Sequence, residues 1–243
     1  KLFDDRDADT REAIKVKYAN AAKVLEAEEL IQAKARDMLR HYAQVILPNG
    51  FKAQVVATSR LAAIRYHAAF VEAQKELVAA VEGLAPEHLV LDDTSRLALP
   101  EETQILLRIH PYLVDLKRID FGVVISGDHN DPPTYAPWTD KGKQDALIAR
   151  FKKPLRHRDP EKADGLAFLI VKSMLLTGFD APVEQSLYLD RIINQPHEIL
   201  QAIARVNRTY KGKMAGRVVD YIGRGGKVIQ KALEVYDAAD IEG

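Results

Sequence analysis

Leu166-Ala-Phe-Leu-Ile-Val171 opens the stretch of sequence that decides the fold. Three further segments follow it, namely Leu175-Leu-Thr-Gly-Phe-Asp180, Gln185-Ser-Leu-Tyr-Leu-Asp190 and Gln201-Ala-Ile-Ala-Arg-Val-Asn-Arg208. The first and third segments are apolar runs that predict buried parallel strands. The second predicts a Thr-Gly turn that ends in an acid, and the fourth belongs to a helix predicted over 196–206. Strand, polar turn, strand and arginine-bearing helix are typical of an α/β domain whose strand ends face a phosphate ligand.

The rest of the chain continues this pattern on both sides. Apolar runs predict further strands over 51–58, 121–126 (at a rim of the sheet) and 218–222. Helical spacing predicts helices over 21–45, 60–81, 101–116 with a break at His110-Pro111, 139–151 and 227–237. The sequence therefore predicts an α/β fold with one doubly wound, mostly parallel sheet of about five strands and added helices.

Composition restricts the class of protein. The chain has 243 residues, no cysteine and a formal net charge of zero. Disulfides and thiolate metal sites are excluded, and neither a signal peptide nor a membrane-spanning apolar run is visible, so we expect a cytoplasmic protein that does not contact membranes. A nucleic-acid-binding protein normally carries a basic surface. Here basic residues concentrate in 141–158 and 205–217, and solvated helix faces explain the first segment equally well.

Several motifs carry a family resemblance. Gln201-x-x-x-Arg205-x-x-Arg208 resembles motif VI of superfamily 2 helicases and translocases, and Leu176-Thr-Gly-Phe-Asp180 resembles their motif V. The longer segment Met174-Leu-Leu-Thr-Gly-Phe-Asp-Ala-Pro182 is similar to a segment of the motor subunit of type I restriction enzymes. Segments 50–56 and 123–131 also resemble segments of the same motor lobe. The resemblance implies the second of two RecA-like lobes, a P-loop NTPase type of lobe without its own Walker A loop.

The resemblance assigns roles around the arginine helix. Arg208 would stabilise the γ-phosphoryl group during ATP hydrolysis, with help from Arg205, because guanidinium groups stay protonated and suit phosphate. Gln201, Gly178 and Asp180 would form the nucleotide-binding side. Spacing places Arg205 and Arg208 on one helical face, with Gln201 one turn earlier. The alternative is a surface helix with two solvated arginines.

DNA-backbone contacts are expected at three strand ends. Ser59 and Arg60, Ser126 and Gly127, and Thr177 are the candidates, since a helix N-terminus or a Gly-rich turn after a strand can bind phosphate. Simple capping of a helix by Ser59 and an ordinary turn at Thr177 are the alternatives. The loop 128–131 carries metal-type ligands, but a turn bounded by prolines explains it better, and we predict no metal site.

The motifs that are absent from the sequence are also informative. There is no GxxxxGKS/T loop, no Asp-Glu-x-His box and no nuclease constellation. By resemblance, ATP and Mg²⁺ would be held mainly by the first RecA-like lobe of the same polypeptide. We therefore expect no ATP hydrolysis from this chain alone.

The resemblance also implies the partners of the lobe and its place in a longer polypeptide. Duplex DNA and the modification and specificity subunits of a type I restriction enzyme would be its partners. Because the first residue is Lys1, we interpret the chain as a fragment, with a linker and helical lead-in over 1–48, the lobe over 49–223 and a helix towards a further domain over 224–243. Two alternatives stay open: the second lobe of another superfamily 2 helicase or remodelling translocase, and a non-catalytic scaffold for DNA or a partner protein.

Overall fold

Five apolar runs form the strands of a single sheet in the part of the chain that the computed structural model describes, residues 23–175, 179–192 and 196–223. The strands are β1 (Lys52–Ala57), β2 (Asp120–Val124), β3 (Leu166–Val171), β4 (Glu184–Asp190) and β5 (Arg217–Asp220). The α-helices are α1 (Glu28–Val45), α2 (Arg60–Glu82), α3 (Pro86–Leu89), α4 (Asp93–Leu97), α5 (Glu101–Ile109), α6 (Leu113–Arg118), α7 (Ala136–Thr139), α8 (Lys141–Lys152) and α9 (Pro196–Val206). Short 3₁₀ turns occupy Leu47–Asn49, His110–Tyr112, Pro133–Tyr135 and Pro160–Lys162.

The sheet is parallel throughout. Its strand order is β2-β3-β1-β4-β5, so β1 is central and β2 lies at a rim, as predicted. Val55 of β1 is in register with Ile170 of β3 on one side and with Tyr188 of β4 on the other. All four pairs of neighbouring strands run in the same direction, and the amino ends of the strands therefore share one edge of the sheet.

Helices cover both faces of this sheet. Successive side chains of a strand point to opposite faces, and accordingly Val55 belongs to one buried cluster and Val56 to another. The first cluster contains the apolar stripes of α1 and α2, and the second contains Phe151 of α8 and Ile199 of α9. The predicted doubly wound α/β architecture is confirmed.

Capping explains where two helices begin. The Ser59 hydroxyl accepts a hydrogen bond from Ala62 N at 3.1 Å, and Asp140 Oδ1 accepts one from Lys143 N at 2.7 Å. Such caps satisfy amide groups that lack an intrahelical partner. Both helix starts agree with the sequence analysis, as does the break at His110-Pro111, where α5 ends and a 3₁₀ turn precedes α6.

The lead-in helix α1 shares the core of the sheet. Its buried residues Met38, Leu39 and Tyr42 pack in the same cluster as Phe168 of β3. The division of the chain at residues 48 and 223 stays a prediction, and the predicted terminal helix lies outside the described residues. None of the described helices is long and apolar enough to cross a membrane.

Candidate functional site

The arginine helix has the bounds that the sequence predicted, so only one of the two motif arginines lies within it. Helix α9 ends at Val206, and Arg208 lies just beyond it, where Arg208 N still donates to Arg205 O at 3.2 Å. The chain turns here because Asn207 Oδ1 accepts from Gly216 N at 2.9 Å, and the backbones approach so closely that a Cβ on Gly216 would lie 2.4 Å from Val206 O. The prediction that both arginines lie on one helical face is therefore wrong: only Arg205 is helical.

Topology places this pair at the amino edge of the sheet. Because β4 and β5 are parallel neighbours, the connection between them must return to the edge where strands begin, and the 11 residues of α9 span about 16 Å. At that edge Arg208 Nη1 lies 2.6 Å from Oδ1 of Asp180, which precedes β4. The candidate nucleotide residues Arg205, Arg208 and Asp180 are thus brought together.

Arg205 is inside the protein. Its residue is only 7% exposed, its guanidinium carbon lies 5.7 Å from the centre of the Phe179 ring, and its buried Nη1 has no hydrogen-bond partner. Burial lowers the pKa of Arg205, while the nearby Glu184 carboxylate opposes that shift. Arg205 therefore cannot present its charge to solvent in this conformation.

Arg208 has the opposite environment. Its side chain is 50% exposed, and that of its partner Asp180 is 55% exposed. Gln201 is also exposed, on α9. An ion pair this exposed is weak, because water and salt screen it. The guanidinium of Arg208 is consequently accessible to solvent.

Glu184, at the start of β4, was missed by the sequence analysis. It is fully buried, and neither carboxylate oxygen accepts a hydrogen bond. Burial raises the pKa of Glu184 to about 8, although Arg205 and Lys213 lower it. Lys213 Nζ instead donates to the Glu184 backbone oxygen at 2.5 Å. A glutamate at the head of an apolar strand is the signal that could have indicated this buried charge.

A second buried charge lies on the neighbouring strand. Lys52 of β1 is fully buried, donates to Arg150 O at 3.2 Å and lies 5.5 Å from the centre of the Phe151 ring. Burial lowers the pKa of Lys52 to about 7, against the effect of Asp164. Farther along β1, Gln54 is buried with no hydrogen bond to its side-chain amide. Of these buried groups, Lys52 has a hydrogen-bond partner, whereas the side chains of Glu184 and Gln54 have none.

The candidate DNA residues at the ends of β1 and β2 lie at the carboxyl edge, away from the arginines. Arg60 donates to Ser126 O at 2.9 Å and to Asp131 Oδ2 at 2.6 Å, and it lies 5.2 Å from the centre of the Tyr135 ring. This pairing holds the pKa of Asp131 below its usual value. Arg60 therefore connects two strand ends.

The other DNA candidates differ in whether they are already hydrogen-bonded within the protein or exposed to solvent. The Ser59 hydroxyl is engaged as a helix cap, which was the alternative interpretation, whereas Ser126 and Gly127 are exposed. Thr177 and Gly178 lie outside the described residues. The roles of all these residues in binding DNA stay predictions.

The loop after β2 has the hydrogen bonds of a turn. Asp128 N donates to Asp131 Oδ2 at 2.7 Å, and Asn130 N donates to Asp128 Oδ1 at 3.2 Å. Nearby, the rings of Trp138 and His67 lie 5.0 Å apart. The side chains of Asp128 and Asp131 thus accept hydrogen bonds from backbone amides of the loop itself.

A further polar cluster, which was not predicted, lies at the carboxyl end of β4. Asp190 is fully buried, pairs with Lys34 of α1 and accepts a hydrogen bond from the Tyr66 hydroxyl of α2 at 2.7 Å. Burial raises the pKa of Asp190, although both bonds lower it. On the adjacent strand end, Tyr221 donates to Asp37 of α1. These contacts fasten α1 to the sheet.

These features define a class of protein: a parallel α/β lobe of RecA-like type with an arginine pair at one edge of its sheet. A solved fragment of a proposed HsdR subunit of a type I restriction enzyme from Vibrio vulnificus YJ016 has the same fold. It matches with a TM-score of 0.51 and 18% identity, over 85% of this chain and 30% of that chain.

Sequence comparisons find relatives of this chain among type I restriction enzymes. Residues 134–223 match the family described as type I restriction enzyme subunit R domain 3. The type I restriction enzyme HindI endonuclease subunit of Haemophilus influenzae is 37% identical over 118 residues, which are 47% of this chain and 10% of that protein. The proposed MjaIXP endonuclease subunit of Methanocaldococcus jannaschii is 27% identical over 96% of this chain and 18% of that protein. The chain is a relative of type I restriction subunits, as the resemblance predicted, and it spans a fifth or less of these two proteins.

Proposed function

We propose that this chain is the second motor lobe of an ATP-dependent DNA translocase, within the restriction subunit of a type I restriction-modification enzyme. The observation that supports this most strongly is the position of Arg208. It lies at the end of α9 inside the segment that matches the family, half exposed, with an exposed and replaceable partner in Asp180.

The proposed chemistry is stabilisation of charge on a phosphoryl group. Hydrolysis of ATP accumulates negative charge on the γ-phosphoryl oxygens, and an arginine that enters from a second lobe can neutralise it. Arg208 fits this role because its guanidinium is accessible. Arg205, being buried, supports Arg208 rather than touching the phosphate in this conformation.

ATP and Mg²⁺ would be held mainly by the first RecA-like lobe of the same polypeptide. Gln201, Gly178 and Asp180 would border the nucleotide from this side. Among the described residues, no group of three His, Cys, Asp or Glu side chains could hold a metal ion. We therefore assign no magnesium ligand to the described residues. Because the sequence has no Walker A loop, we expect the isolated chain to have no ATPase activity above background.

DNA would contact the carboxyl edge. The exposed Ser126 and Gly127 are the best-placed candidates, and Thr177 is proposed with them. Ser59 and Arg60 are already bonded within the protein, so Ser59 would act chiefly as the cap of α2 and Arg60 by holding the loop 126–131 in place. Contacts to the backbone of duplex DNA make translocation independent of sequence and sensitive to salt. Modification and specificity subunits would complete a cytoplasmic complex.

The test is ATP hydrolysis by the complete restriction subunit, with and without duplex DNA, for the wild type and Arg208→Ala. Loss of an arginine of this kind lowers turnover about a thousandfold or more. Arg108→Ala is the matched control, since Arg108 is an exposed arginine on α5, away from the site.

DNA-stimulated turnover that disappears in Arg208→Ala and persists in Arg108→Ala supports the motor. A wild-type subunit that binds DNA without hydrolysing ATP, even with its partner subunits present, indicates a scaffold and contradicts the proposal. Turnover in a polypeptide that carries no nuclease domain would instead favour another superfamily 2 translocase.

A further inference from the structure

Two consecutive residues contact the two arginines of the helix. The Phe179 ring centre lies 5.7 Å from the guanidinium carbon of Arg205, and Asp180 Oδ1 lies 2.6 Å from Arg208 Nη1. Both contacts come from the short segment that leads into β4. The first contact is buried and the second is exposed, so the two differ in how firmly they hold their arginine.

The Phe179 ring is itself held in place. It is 5% exposed and packs against the Phe151 ring of α8, with ring centres 6.1 Å apart. Lys152 Nζ lies 5.6 Å from the centre of the same ring. A cation within about 6 Å of an aromatic ring is attracted to it, more strongly where water is excluded. Phe179 thus connects α8 with Arg205 of α9.

Arg205 in turn holds the backbone of Arg208 in place. Arg208 N donates to Arg205 O at 3.2 Å, which fixes the backbone of Arg208 to the last turn of α9. The Glu184 carboxyl group, at the start of β4, lies near the Arg205 guanidinium without forming a hydrogen bond. A displacement of Arg205 would therefore be transmitted to the residue that projects from the edge.

We infer that Phe179 is a positioning residue of the motor, which fixes Arg205 through its ring and thereby sets the position from which Arg208 acts. This inference rests on the proposed function, because it is the phosphate role of Arg208 that Phe179 would serve. It assigns Phe179 a role that neither the fold nor hydrophobic burial alone requires.

The first test compares Phe179→Leu with Phe179→Tyr in the complete restriction subunit. Leucine keeps an apolar side chain but removes the ring, whereas tyrosine keeps the ring. We expect Phe179→Leu to lower kcat for ATP hydrolysis about tenfold. The KM for ATP should stay within about twofold, because positioning of Arg208 matters in the transition state. Phe179→Tyr should retain the wild-type kcat.

The second test does not depend on activity. Phenylglyoxal modifies accessible arginines, and mass spectrometry reports the rate at each site. In the wild type Arg205 should react much more slowly than Arg208; Phe179→Leu should increase the Arg205 rate severalfold, and Phe179→Tyr should not.

The outcomes separate the two hypotheses. A Phe179→Leu protein with the wild-type kcat and an unchanged Arg205 rate overturns the inference, as does Phe179→Tyr behaving like Phe179→Leu. A wild-type subunit without DNA-stimulated hydrolysis overturns the proposed function instead. In that case the modification rates alone decide whether Phe179 holds Arg205.

Discussion

At the carboxyl end of β4 the buried carboxylate of Asp190 is hydrogen-bonded, whereas at the amino end of the same strand the buried carboxylate of Glu184 is not. Asp190 has both Lys34 and Tyr66 as partners. Glu184, at the other end of the same strand, has no hydrogen bond to either carboxylate oxygen, and Arg205 Nη1 has none either.

This difference separates stability from function. Satisfied buried networks stabilise a structure, while unsatisfied buried groups cost free energy and persist where function requires them. The carboxyl end of β4 fastens helix α1, and the amino end places charges beneath the accessible Arg208. Under the proposed function, the amino edge is the side of the lobe that acts on ATP.

Removal of Asp190 should have the largest effect on folding. Asp190→Ala leaves Lys34 largely buried without its counter-charge, and breaking a buried pair in this way costs roughly 3–5 kcal/mol. Denaturant unfolding measures the loss. Asp93→Ala, at a fully exposed helix position, is the control and should change little. A loss below about 1 kcal/mol for Asp190→Ala would remove the distinction between the edges.

Glu184 should make stability depend on pH. Its pKa is about 8 in the folded protein and near 4.5 when unfolded, so the folded state binds the proton more tightly. Its contribution to stability is therefore complete below pH 4.5 and is lost as pH rises towards 8. Glu184→Gln should stabilise the protein at pH 8 or above by roughly 1–3 kcal/mol and have little effect near pH 4.5. Unfolding curves across this range that show an equal effect at both ends would contradict the assignment.

Lys52 should show the opposite dependence. Burial lowers its pKa from 10.5 to about 7, so its contribution to stability is complete above pH 10.5 and is lost as pH falls through 7. Lys52→Met should therefore stabilise the protein most below pH 7, by roughly 1–3 kcal/mol, and least above pH 10.5. The same unfolding measurements, extended to alkaline pH, check this prediction. A stabilisation by Lys52→Met that increases with pH would contradict it.

Arg208 should contribute least to stability. Its ion pair with Asp180 is half exposed, and such pairs are typically worth less than about 1 kcal/mol. Arg208→Ala should therefore change the unfolding free energy by about 0.5 kcal/mol or less, although it is expected to abolish ATP hydrolysis. A large destabilisation would show that Arg208 is a structural residue of the amino edge.

The elements of the fold were predictable because their signals are local. Apolar runs indicated β1 to β5, Ser59 marked the start of α2, and His110-Pro111 marked a helix break. The parallel sheet followed from the alternation of strands and helices.

The geometry of the site was less predictable because it depends on contacts distant in sequence. Spacing indicated Arg205 and Arg208, but only the packing of Phe179 shows that one is buried and the other exposed. The lack of a hydrogen-bond partner for the Glu184 carboxylate, and the position of Lys52 over the Phe151 ring, depend on neighbours that are distant in sequence. The bond between Arg60 and the loop 126–131 joins residues 66 positions apart.

The most direct test of the account is nucleotide protection of Arg208. The rate of its modification by phenylglyoxal would be measured in the complete restriction subunit, with and without a non-hydrolysable ATP analogue. If the amino edge closes on ATP, the analogue should slow modification of Arg208 about tenfold or more while Arg108 is unaffected. An equal rate at Arg208 in both conditions, with the analogue shown to be bound, would contradict the claim that this edge acts on the nucleotide.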